Sequence, residues 1–218
     1  MPLTTIDPTP ALVVIDLQKG IVSALAGTAR QAAATTVDRA TRLATEFRRQ
    51  GLPVVLVNVT GRAPGRTDSG RSAGSTDSGR SAGSTDSGRS ANSTDTGRVA
   101  NSPAPSAGWA DLVDELDVRP TDHLLTKRRR SAFHDTGLDT LLRDLGATQI
   151  VLAGVSTGSG VESTARSASD HGYHVVLATD AMTDPDPEAH RHSVERVFPK
   201  LGETATTAEV VAMLEATR

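Results

Sequence analysis

The sequence predicts a three-layer α/β/α sandwich on a mostly parallel sheet of five to six strands, and three observations carry that expectation. Short runs that are apolar and β-branched at nearly every position, such as Ala11–Asp16 (ALVVID) and Val54–Val59 (VVLVNV), read as strands buried on both faces. Helical periodicity fills the intervals, and a strand–helix–strand order favours parallel pairing with right-handed crossovers. The third is Gln149–Arg166 (QIVLAGVSTGSGVESTAR), around which the chain is organised: a buried strand, a glycine-rich corner and a helix in immediate succession.

Taken in order, Ala11–Asp16 is the first strand, ending in a carboxylate with Gln18 two residues on. Gln31–Gln50 carries Ala34, Val37, Ala40, Leu43, Ala44 and Phe47 on one face, a helix stopped by Gly51. Val54–Val59 is the second strand. After Trp109, Ala110–Leu116 reads as a short helix. His123–Thr126 is the third strand, followed by Lys127 and the basic run Arg128–Arg130. Thr136 is placed to N-cap a helix over Gly137–Leu145. Gln149–Val155 is the fourth strand; the helix Val161–His171 follows, with Val161, Ala165 and Ala168 at helical spacing and Gly172 as its stop. His174–Ala178 is a fifth strand running to Asp180. Pro187–Phe198 is a helix, Glu203–Thr206 a short sixth strand, and Ala208–Ala216 the last helix.

A chain of 218 residues is long enough for one domain, 1–218, with a sizeable core. A formal net charge of −3 gives no basic footprint for nucleic acid or an anionic membrane. The start MPLTTIDPTP lacks a basic n-region, and Ala11–Leu17 is too short for a signal core or a membrane span. A soluble, cytoplasmic protein is the expectation. The absence of cysteine excludes disulfides, zinc–thiolate sites and a catalytic thiol. Residues 67–102 are four nine-residue units, TDSGRSAGS twice, then TDSGRSANS and TDTGRVANS. Calcium-binding β-roll repeats need an apolar residue per unit, and the first three units offer only alanine. Low hydrophobicity with Gly, Ser and Thr enrichment reads instead as a disordered or loose insertion.

Asp16, Lys127 and the corner Ser156–Gly160 all fall at carboxyl ends of strands, where open α/β sheets bind ligands. The corner aims backbone N–H groups and the positive end of a helix dipole at one point, which suits a substrate anion or an oxyanion. Each feature also has a bland reading: a strand-end turn for Asp16, a solvated charge for Lys127, and a corner holding only water. Their coincidence favours a site. Phe133 and Trp109 are plausible pocket walls in a chain with one Trp, one Tyr and three Phe. Arg62 and Arg66 are candidate contacts for a substrate carboxylate. His134 is as much a surface residue as a pocket one, and His190 and His192, two apart on a helix, diverge rather than share a metal. No metal or cofactor is expected.

The segments ALVVIDLQKGIV, TKRRRSAFHDTGLDTLLRDLG and IVLAGVSTGSGVESTARSASDHGYHVVLATDAMTD together resemble the isochorismatase-like (cysteine hydrolase) superfamily. The resemblance covers nearly the whole chain outside the repeat. It implies a catalytic triad of Asp16, Lys127 and a cysteine whose position here falls on Gly160. Amide-cleaving members need that thiolate, and nicotinamidases also need a histidine-bearing metal site after the second strand; this chain has no histidine between Val59 and Asp122. Isochorismatases proper carry glycine at the cysteine position and cleave an enol-ether, which needs a delivered proton and a water but no covalent intermediate. By that resemblance Asp16 is the general acid and Lys127 binds a carboxylate or steadies charge. Gln18, Phe133, Trp109, Val155, Ser156 and Ser159 are expected to line a site for a small-molecule substrate, and a homo-oligomer is expected. In that family the peptide joining the residues that match Val155 and Ser156 is often cis. A catalytically silent relative that binds a small acid is the alternative.

One rival motif needs weighing. Gly154–Gly158 spells G-x-S-x-G between a strand and a helix, as a serine-hydrolase elbow does, with Asp180 or Asp184 and His190 or His192 following in α/β-hydrolase order. Against it, no His-Gly oxyanion segment precedes the motif, and the helix is expected to begin about four residues beyond Ser156. Ser159, beside Gly160, is a weaker substitute nucleophile without an obvious base.

Overall fold

The structure is a computed structural model that describes residues 1–60 and 106–217; the repeat at 67–102, with Arg62 and Arg66, lies outside the described residues. Six strands form one sheet: β1 (Pro10–Ile15), β2 (Val54–Val59), β3 (His123–Lys127), β4 (Gln149–Val155), β5 (His174–Thr183) and β6 (Glu203–Ala205). Their order is β3-β2-β1-β4-β5-β6, and every pair is parallel. The order reverses between β1 and β4, the switch point where a doubly wound sheet opens a crevice at its carboxyl edge.

Helices cover both faces, as the uniformly apolar strands require. Leu12, Val14, Val151 and Ala153 point to a core shared with α2 (Gly27–Arg49) and α6 (Thr207–Ala216). Their neighbours Ala11, Val13, Ile15, Ile150 and Leu152 point the other way, onto α3 (Leu138–Asp144) and α4 (Glu162–Asp170). Two further helical pieces complete the layers, the single turn α1 (Lys19–Val22) and α5 (Pro187–His192), which runs on through helical turns to Lys200. Gly154 sits where β1 and β4 approach most closely. Its φ is +119°, and a Cβ there would fall 2.0 Å from the Ile15 carbonyl oxygen, so only glycine fits.

Four local expectations give way to packing. Ala34 is exposed and Ala33 buried in its place, with α2 starting four residues earlier than periodicity suggests. Ala110–Leu116 is no α-helix, only a 3₁₀ turn at Asp114–Leu116. Its backbone is spent on the chain after β1: Lys19 N donates to Asp111 O at 2.7 Å, Gly20 N to Trp109 O at 3.0 Å and Val113 N to Leu17 O at 3.0 Å. Thr136 accepts from Leu138 N at 3.2 Å, but Gly137 holds the cap position itself. β5 runs on to Thr183 through an irregularity: Leu177 pairs with Leu152, yet the next partner of β4 is Met182. Asp180 falls in that irregular stretch, and its carboxylate accepts from Thr207 N at 2.7 Å and Thr207 Oγ1 at 2.9 Å, anchoring the start of α6.

Candidate active site

β1 delivers Asp16 to the switch point one residue past its end. Asp16 takes a left-handed backbone (φ 53°), a conformation aspartate enters more readily than most residues, and its N–H still donates to Val57 O at 2.8 Å. β3 ends on Lys127, whose Nζ lies 2.7 Å from Asp16 Oδ2 and donates to Arg129 O at 3.2 Å. Both residues are buried, Asp16 at 5% and Lys127 at 2% exposure. The second carboxylate oxygen, Asp16 Oδ1, is buried without a hydrogen-bond partner among the described residues. Burial is the dominant influence on this carboxyl group. It lifts the pKa to about 6 against the downward pull of Lys127's charge and hydrogen bond.

β4 brings the third member. A Cβ built on Gly160 would stand 3.1 Å from Ile15 Cγ2, 3.2 Å from Asp16 Oδ2 and 3.4 Å from Val155 O. Position 160 therefore abuts the Asp16–Lys127 pair, and glycine keeps that contact from crowding. Asp16, Lys127 and Gly160, far apart in sequence, meet at one point.

The corner differs from its expected form. The helical turn begins at Thr157, directly after Ser156, so the predicted four-residue gap is absent. Ser156 has an ordinary extended backbone (φ −90°, ψ 144°), without the strain of a nucleophile elbow. The Val155–Ser156 peptide is cis. His190 Nδ1 lies 2.9 Å from Thr157 Oγ1, so its ring is spent on the neighbour of Ser156. Burial lowers the His190 pKa, opposed by the charge of Asp184. Three of the corner's donors are spoken for: Gly158 N donates to Asp184 Oδ2 at 2.8 Å, while Ser159 N and Val161 N donate to Ser156 O at 3.1 and 3.2 Å. Asp184 thus takes, from within the fold, one of the N–H groups that the sequence offered to a substrate anion. The sequence offers Asp184 only as a possible acid of the rival serine-hydrolase motif, not as a partner of the corner's backbone. Asp186 does cap α5, accepting from Glu188 N at 2.9 Å, but nothing local announces that Asp184 reaches across to β4.

The flanking residues divide. Gln18 is fully buried, and both ends of its amide bind backbone: Nε2 donates to Val59 O and Trp109 O, each at 3.2 Å, and Oε1 accepts from Val59 N at 2.8 Å. It positions the loop beside the site rather than offering a free group to it. Trp109 packs its indole on Gly20 and, with Ile21, Leu25 and Pro185, lines a cleft of about 490 Å³. Phe133 is not brought to the Asp16 pair. Its ring lies 4.9 Å from that of His171 and 5.8 Å from that of Tyr173, near the opposite edge of the sheet where β5 begins. Val155 is buried, and Ser156 and Ser159 are half-buried on the corner. Among the described residues no cluster of His, Asp and Glu is arranged to hold a metal ion, and no helix is long and apolar enough to cross a membrane.

A doubly wound sheet with a buried acid–lysine pair at its switch point and a glycine facing that pair defines an α/β hydrolase of the kind the sequence resembles. The Isochorismatase domain family matches residues 10–209, and the chain belongs to that family of hydrolases. The uncharacterized isochorismatase family protein YwoC of Bacillus subtilis (strain 168) is 34% identical over 205 residues, covering 94% of each chain. The structure of an isochorismatase family protein from Burkholderia thailandensis superposes with a TM-score of 0.72 at 35% identity, covering 97% of this chain and 98% of that one. N-carbamoylsarcosine amidase from Thermoplasma acidophilum superposes with a TM-score of 0.63 at 26% identity, covering 91% and 96%.

Proposed function

We propose that this chain hydrolyses the enol-ether bond of a small carboxylated substrate such as isochorismate, with Asp16 as general acid and no cysteine nucleophile. The observation that carries the reading is the Asp16 carboxyl group: buried, lifted to about 6, with one oxygen held by Lys127 and the other without a partner. A carboxyl with that pKa still holds its proton in a useful fraction of molecules near neutrality. Protonation of the terminal methylene carbon by Asp16 gives an oxocarbenium ion. Water adds at the carbon bearing the ether oxygen and gives up a proton that restores the Asp16 acid, and collapse of the hemiketal, with transfer of its hydroxyl proton to the ether oxygen, releases an alcohol and a methyl ketone. The Asp16 carboxylate left behind is stabilised by Lys127 Nζ at 2.7 Å. Amide hydrolysis of the kind named for the Thermoplasma relative lacks its thiol nucleophile in this chain, which has no cysteine.

Release of pyruvate from isochorismate, followed with lactate dehydrogenase, tests the reading. A general acid acts in its protonated form, so kcat/KM falls as pH rises through about 6, the Asp16 pKa. A rate that instead rises through that pH makes Asp16 a base and overturns the assignment. A chain that binds isochorismate without releasing pyruvate is the catalytically silent relative.

A further inference from the structure

A carboxylated substrate seated on Asp16 needs a counter-charge, and the corner Ser156–Gly160 offers backbone N–H groups, several already bonded, but no cationic side chain. Gly158 N is held by Asp184, Ser159 N and Val161 N by Ser156 O, and the Lys127 ammonium is shared between Asp16 Oδ2 and Arg129 O. We infer that the arginine run Arg128–Arg130 reads the substrate's carboxylate and makes the site selective for anionic substrates. The inference rests on the proposed use of the Asp16 site, but its test does not depend on turnover.

Three observations carry it. The first is place. The carbonyl of Arg129 is 3.2 Å from Lys127 Nζ, itself 2.7 Å from Asp16 Oδ2, so the backbone of the run is hydrogen-bonded to the cation of the pair. One of the run's exposed side chains has to turn from solvent toward a substrate resting on Asp16. The second is availability. Most other arginines engage a carboxylate or carbonyl, as Arg48 does with Asp122 and Arg166 with Glu162, whereas among the described residues the guanidinium groups of Arg128, Arg129 and Arg130 make no hydrogen bond or ion pair. All three are exposed. The third is charge. Three consecutive cations at the carboxyl edge of β3 stand out on a chain of net charge −3, and a guanidinium fork matches a carboxylate with two parallel N–H donors. A guanidinium also stays charged while Asp16 changes protonation, so recognition and proton donation are carried by separate groups.

Arg128→Gln, Arg129→Gln and Arg130→Gln, singly and together in the full chain, test the assignment. Two readouts are needed: steady-state turnover of isochorismate, and calorimetric titration with benzoate, a carboxylate the site cannot hydrolyse, against neutral benzamide. At least one single variant is expected to raise KM for isochorismate about tenfold or more, with the change in KM rather than kcat. Benzoate affinity should fall in parallel, and benzamide binding and the melting temperature should stay as in the parent. Arg→Lys at the same position should restore part of the benzoate affinity. A triple variant that keeps both KM and benzoate affinity within about twofold of the parent overturns the inference, and so does a parent that binds neither isochorismate nor benzoate. A parent without turnover whose benzoate binding nonetheless depends on the run sinks the Asp16 reaction and leaves the arginine assignment standing.

Discussion

Two buried carboxylates of this fold make an instructive pair. Asp122, just before β3, accepts from Arg48 Nε at 3.0 Å and Arg48 Nη2 at 2.7 Å, and from Arg119 N at 2.8 Å. Its side chain is 1% exposed and both oxygens are bonded. Asp16, at the far end of the neighbouring strands, is buried against Lys127 with 7% of its side chain exposed, yet among the described residues Oδ1 has no partner. The first arrangement clamps α2 to the entrance of β3. The second keeps an unmet hydrogen-bonding capacity in a desolvated place, which native folds rarely tolerate without a use for it. Burial of an ion pair does not separate the two roles; completeness of its hydrogen bonding does.

The sharpest way to break that contrast is to remove each carboxylate in turn. Asp122→Ala strips the half-buried Arg48 of its carboxylate, leaving it only the bond from Nη2 to Leu116 O at 3.1 Å, so urea unfolding should show a loss of about 2 to 3 kcal/mol while the folded protein keeps its turnover. Asp16→Asn should do the reverse. It retains an acceptor for Lys127 and removes a group whose uncharged form burial already favours, so the stability change is the smaller one. Enol-ether hydrolysis should fall about 100-fold or more for want of a proton donor. If both variants lose stability alike and neither loses rate selectively, the contrast is empty.

A finer probe places a reporter against the incomplete pair. Gly160→Cys sets a thiol beside Asp16 and Lys127 at a helical turn, and alkylation by iodoacetamide is expected at pH 7, well below the ordinary thiol pKa of about 8.5. A thiol that stays unmodified in folded protein would mean that position 160 does not open onto the pair. The smallest effect belongs to a third carboxylate. Asp7 accepts from Thr148 Oγ1 at 2.6 Å and pairs with His174 Nδ1 at 2.9 Å, and the imidazole is 72% exposed. Asp7→Asn should cost under about 1 kcal/mol in thermal melts, with the difference shrinking as salt is raised.

Much of this was legible in the sequence for a physical reason. Strands buried on both faces have to be apolar throughout, so the charged residues closing them, Asp16 and Lys127, stand out, and the sheet's topology then gathers strand ends together. Gly160 was legible only through the resemblance, as the position where amide-cleaving relatives carry their cysteine. What resisted reading depends on partners distant along the chain. Ala110–Leu116 has helix-forming residues, but Lys19, Gly20 and Leu17 claim its backbone hydrogen bonds. Asp180 looks like a strand-end acid until the irregularity in β5 hands it to Thr207. Phe133 sits in the segment next to Lys127 and still turns toward Tyr173, because Ala132 N is tied to Thr164 Oγ1 at 3.0 Å on α4.

The Asp184 carboxylate on Gly158 N has a consequence for anything else that would bind there. A group tethered to the same chain meets its partner at an effective concentration that for short linkers reaches the millimolar range or above. Free phosphate, acetate or a released acid product competes for the β4 corner against a resident that never diffuses away. A small anion arriving at Gly158 N has to displace that carboxylate first, so the corner presents one fewer free donor than an open helix terminus would.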